Sequence, residues 1–74
     1  TREVLMTLKN KMVCALMQDC HAKIGLATAN IEVLLNNPVG VGDHPNIMET
    51  IQGQIDIISQ NKDRLNVLET DFYE

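Results

Sequence analysis

The sequence predicts an all-α chain: an antiparallel two-helix hairpin whose copies pair into a four-helix bundle. Three observations predict it. Apolar side chains recur at gaps of three and four through residues 1–36, the period of one helix face. Ile51, Ile58, Leu65 and Phe72 recur every seven residues in the second half, a heptad-like seam. Between the two lies 36–45, which holds both prolines and two of the four glycines. Proline lacks an amide donor and pushes its predecessor out of the helical region, so no helix runs through this stretch.

The first helix is expected over 1–36, with Thr1 as a possible N-terminal cap. Its stripe reads Leu5, Leu8, Met12, Leu16, Cys20, Ile24, Ala27, Ile31 and Leu34, widened by Met6, Val13, Met17 and Leu35. Asn36 and Asn37 make a stop before Pro38, since Asn tolerates the conformation that closes helices. The loop spans 37–45 and contains Pro38, Gly40, Gly42, Asp43, His44 and Pro45. The second helix is expected over 46–70, opened by Asn46 and Glu49 as a reciprocal capping pair, with Asp43 as the rival cap. Met48, Ile55 and Leu68 flank its seam, Lys62 interrupts it, and Gln52, Gln54, Asp56, Gln60, Asn61, Asp63 and Asn66 are read as facing outward. A short tail, 71–74, carries both aromatic residues. No repeat or linker divides the chain, so 1–74 is read as one domain.

Antiparallel pairing about this loop sets residues whose numbers sum to roughly 82 opposite each other. Ala29 then meets Gly53, and Gly25 lies near Ile57. A glycine inside a helix costs about 1 kcal/mol relative to alanine, so Gly25, Ala29 and Gly53 are expected to mark a close helix–helix approach.

Composition narrows the function. At 74 residues, a single core supplies only about 3–5 kcal/mol, and a staple or partner is commonly needed. Cys14 and Cys20 stand roughly 120° apart around a helix, too divergent to bridge each other. Reduced thiols suit a cytoplasmic location. No apolar run approaches the ~18–20 residues that span a bilayer, and no charged-then-apolar leader opens the sequence, so no membrane partner is expected. The net charge of −4 and the scattered Arg2, Lys9, Lys11, Lys23, Lys62 and Arg64 argue against nucleic acid, which is held mainly by basic surfaces.

Candidate chemistry is thin. Asp19, Cys20 and His21 are metal-ligand types, but three consecutive helical residues point three ways and no second cluster stands at a zinc-like spacing. His44 beside Asp43 lacks a nearby nucleophile. Val39-Gly40-Val41-Gly42 follows a helix rather than a strand and has no lysine, so its glycines serve the turn rather than a phosphate. The expectation is no enzyme, no cofactor and no metal.

The run Asn30-Ile31-Glu32-Val33-Leu34-Leu35-Asn36-Asn37-Pro38, then Asp43-His44-Pro45, then Lys62-Asp63-Arg64-Leu65-Asn66-Val67-Leu68 resembles short helical-hairpin proteins of T-even-type tailed phages, many from marine hosts. The resemblance covers about 40 residues. It implies a helical hairpin and a viral origin, hence the cytoplasm of an infected host cell, and no particular activity.

The function expected is that of a non-enzymatic, self-associating protein acting through protein–protein contact. The first helix overhangs the second, and Leu5, Leu8, Met12 and Leu16, with Phe72, are expected to form the interface of a homodimer; a protein partner of unknown identity is the other way to cover them. The alternative class is a small nucleic-acid-associated accessory factor using Arg2, Lys9 and Lys11 of symmetry-related copies.

Overall fold

The computed structural model describes residues 7–36 and 46–73. Two helices, α1 (Leu8–Asn36) and α2 (Ile47–Val67), pack against each other along their lengths, and α2 continues into a π turn over Leu68–Phe72. The chain is all-helical among its described residues and elongated, 56 × 21 × 12 Å. Thr1, Leu5, Pro38, Gly40, Gly42, Asp43, His44 and Pro45, all given roles from the sequence, lie outside the described residues.

The ends of the helices depart from expectation in ways their polar groups explain. Thr7 caps α1: its Oγ1 accepts from the amide of Asn10 at 3.1 Å, and its carbonyl accepts from Lys11 N at 3.0 Å. That side chain satisfies one of the four amides a helix start leaves unpaired. At the other end, Asn36 Nδ2 donates to the carbonyl of Glu32 at 2.8 Å. The Asn46–Glu49 pair does not form, because the Asn46 side chain makes no capping bond. Thr50 instead donates both its amide (2.9 Å) and its hydroxyl (3.1 Å) to the Asn46 carbonyl. The helix runs past Thr70 to Phe72, and Tyr73 leaves it with extended backbone, φ −95° and ψ 129°.

The seam also differs from the predicted stripes. On α1 the inward residues are Asn10, Val13, Met17, Cys20, Ile24, Ala27, Ile31 and Leu34, of which Val13, Cys20 and Ala27 are buried and the rest half-buried. Their gaps alternate three and four without exception. The predicted main stripe agrees from Cys20 to Leu34 and its widening row agrees at Val13 and Met17, whereas Leu8, Met12, Leu16 and Leu35 are exposed. Four residues advance a helix by about 400°, so the successive steps of four from Leu8 to Ile24 rotate the stripe by about 160°. No straight partner can follow such a drift, whereas a strict heptad row stays on one face.

On α2 the inward rows are Ile51, Ile58, Leu65 and Ile47, Gln54, Asn61, Leu68. The sequence favoured Met48 and Ile55 over Gln54 and Asn61 as the flank of the seam, but that row continues through Lys62 and Glu69. Burying a charge costs far more than burying an amide, so the neutral row turns inward. Asn61 is 1% exposed and Gln54 half-buried, while Met48 and Ile55 stay at the surface. Asn61 Nδ2 donates to the Ile57 carbonyl at 2.8 Å, and its Oδ1 has no partner.

Candidate interaction surface

A single hydrogen bond reads out the register. Asn30 Nδ2 donates to Gln54 Oε1 at 3.1 Å, which sets residues whose numbers add to about 84 level with each other. The register is close to the 82 expected, but the close approach is elsewhere. Gly25, Ala29 and Gly53 are all exposed, and a Cβ on either glycine would meet nothing within 4 Å. They occupy outward positions, roughly 100–200° from the seam rows. Ala27, 2% exposed, is the small residue that sits between the helices.

The buried row Val13, Cys20, Ala27 and the half-buried Leu34 ends on one side of the hairpin in side chains too short to fill the angle between the two helices. The result is a run of three shallow grooves on that side. The largest, about 450 Å³, lies between Leu16, Asp19 and Lys23 of α1 and Asp63, Arg64 and Val67 of α2, with Cys20 as part of its floor. The next, about 220 Å³, is floored by Ala27 and rimmed by Lys23, Leu26, Asn30 and Ile57. The third, about 270 Å³, lies over Leu34 between Val33 and Thr50. Lys23 belongs to the first two grooves, and Asn30 and Gln54 to the second and third, so the three form one continuous trough.

Large apolar side chains stand along this trough and are wet. Leu26 is 69% exposed and Val33 63%, and Met12, Leu16, Ile57 and Val67 are exposed as well. Met12 and Leu16, predicted as interface residues, therefore lie along the trough face. Leu8 is exposed roughly 80° further round from Leu16, and Phe72 is about half exposed on the π turn. Sequence reasoning gave Leu26, Val33, Ile57 and Val67 no interface role. Their signal is that Met12, Asp19, Leu26 and Val33 make a heptad row flanking the seam, as do Ile57 and Arg64 on α2.

The polar residues of the trough are balanced. Asp19 Oδ2 and Lys23 Nζ pair at 2.8 Å, one helical turn apart and half-exposed, a geometry that contributes about 0.3–0.5 kcal/mol. Asp63 and Arg64 face them from α2 across the largest groove. Lys11 is exposed two positions from Lys9, on a different face. His21 is exposed while Cys20 beside it is buried, and among the described residues no group of three His, Cys, Asp or Glu side chains is placed to hold a metal. Cys14, half-buried, and Cys20 are free thiols. No helix among the described residues is long and apolar enough to cross a membrane. No protein-family model, curated protein or solved structure matches the chain.

Proposed function

We propose that this chain is a non-enzymatic protein that works by self-association, two hairpins pairing about a two-fold axis into a four-helix bundle in the cytoplasm. The observation that carries the reading is surface. The chain exposes 5797 Å², against about 4,600 Å² expected of a compact monomer of its mass. Its radius of gyration is 17.0 Å, against about 11 Å for a compact domain of this length. The excess, on the order of 1,200 Å², exceeds the ~800 Å² that each partner buries in a standard interface. Much of it is apolar, because among the described residues only Val13, Cys20, Ala27 and Leu65 are buried hydrophobic side chains. Two hairpins that cover each other's exposed leucines recover about 1.5–3 kcal/mol for each one fully buried, and two-fold pairing is the commonest closed symmetry.

Light scattering on the purified chain at micromolar concentration tests the proposal. The expected mass is twice 8.3 kDa. A helical, cooperatively melting species at the monomer mass overturns it.

A further inference from the structure

Resting on the self-association just proposed, we infer that the dimer forms through the grooved face, about a two-fold axis that passes beside the Asp19–Lys23 ion pair. A two-fold interface is made of one patch used twice, so the patch must complement itself after half a turn. The trough face meets that condition. It carries two apolar clusters, Leu16 with Val67 and Leu26 with Ile57, each pair level across the two helices by the register that Asn30 and Gln54 set. The clusters are ten residues apart along α1, about 15 Å. Midway between them lie Asp19, Lys23, Asp63 and Arg64. A half-turn about that midpoint lays the Leu16–Val67 cluster of one copy on the Leu26–Ile57 cluster of the other, twice. It also brings Lys23 of one copy to the level of the acids of the other.

Charge favours a second copy as the occupant. The chain carries −4, yet the central quartet of this face holds two acids and two bases and sums to zero. Glu32 is exposed on the other side of α1, while Glu49 and Asp56 share the heptad row of Asp63 and lie further toward the loop end, away from the axis. At the axis itself, two copies therefore meet with bases level with acids. The opposite side of the hairpin lacks this symmetry. Its exposed apolar residues, Leu35, Met48 and Ile55, gather at one end, and a half-turn about its middle offers them no second cluster.

Four single variants of the full chain, Leu26→Glu, Ile57→Glu, Met48→Glu and Ile55→Glu, separate the possibilities in sedimentation equilibrium. Leu26 and Met48 are 69% and 67% exposed and Ile57 only 38%, so Leu26→Glu and Met48→Glu carry the comparison, and circular dichroism checks that each variant keeps its helices. Leu26→Glu and Ile57→Glu should weaken the dimer at least about a hundredfold, each counting twice in a two-fold interface, and Met48→Glu and Ile55→Glu should leave it unchanged. If the parent chain is a dimer and Leu26→Glu stays one, or if Met48→Glu or Ile55→Glu dissociates it, this face is wrong while self-association stands. A monomeric parent chain removes both. A second measurement does not depend on loss of association. With Cys14→Ser and Cys20→Ala in place, Leu16→Cys and Leu26→Cys chains are mixed and treated with a short bismaleimide. The mixed cross-link should form in preference to either self-cross-link, and its absence overturns the proposed axis.

Discussion

Asn61 is the most informative single residue to replace. It is 1% exposed, donates from Nδ2 to the Ile57 carbonyl at 2.8 Å, and leaves Oδ1 buried without a partner. A buried acceptor without a bond costs about 1–3 kcal/mol. The bond that Nδ2 makes contributes about 1 kcal/mol, and losing it leaves the Ile57 carbonyl inside the α2 ladder, where it is still satisfied. Asn61→Leu keeps the branched shape, removes the orphan oxygen and adds apolar burial between the helices. The expected balance is a stabilisation of about 1–3 kcal/mol, or roughly 5–15 °C in Tm for a domain of this size. Thermal unfolding followed by circular dichroism at one fixed protein concentration measures it, since association also moves Tm. An unchanged or lowered Tm refutes the reasoning. A single buried asparagine in a helical seam also fixes register at a cost in stability. The leucine variant should accordingly show more than one set of amide resonances, where the parent chain shows one.

Other outcomes follow from the same structure. Thr7→Ala removes the side chain that caps α1 and should cost about 1 kcal/mol, seen as a lower urea midpoint with an unchanged slope. Gly25→Ala and Gly53→Ala place a methyl in open space and should each stabilise by about 0.5–1 kcal/mol; a loss at either site in chemical denaturation would restore the close approach expected from the sequence. Ala27→Leu forces three carbons into a site 2% exposed and should destabilise by about 1–3 kcal/mol in the same assay.

The two helices, their antiparallel pairing and a register within two residues of the observed one were legible in the sequence, because proline punctuation and hydrophobic period are strong local signals. The inward rows were legible in part: Cys20 to Leu34 on α1 and Ile51, Ile58 and Leu65 on α2 are inward as expected, and their neighbours are not. On α1, Leu8, Met12 and Leu16 are more apolar than Asn10, but their four-residue steps spiral away from any straight partner. On α2, Met48 and Ile55 outweigh Gln54 and Asn61 in hydrophobicity, yet Lys62 and Glu69 further along their row keep it in water. Row choice is a property of two helices at once, and single-helix periodicity weighs only one. The same blindness hid the trough, since Leu26 and Ile57 come level only after the chains are set in register. Glycine misled in another way: Gly25 and Gly53 were read as marking contact, whereas the space between the helices is set by Cys20 and Ala27.

The placement of the two thiols gives the hairpin a clock of its own. Cys20 lies on the seam at 4% exposure, and Cys14, two turns earlier, is half-buried at its edge. A maleimide or a disulfide reagent meets Cys20 sparingly through the groove floor and freely once the helices part, so its labelling rate, divided by that of the same thiol in urea, sets an upper limit on the fraction of time the seam stands open. Each tenfold slowing corresponds to about 1.4 kcal/mol of opening free energy. Cys14 serves as the internal standard for reagent potency, and neither residue need be introduced. Dilution then adds a second axis: if a second copy holds the seam shut, Cys20 labels faster as the protein is thinned out, while a hairpin that stands alone keeps one rate at every concentration.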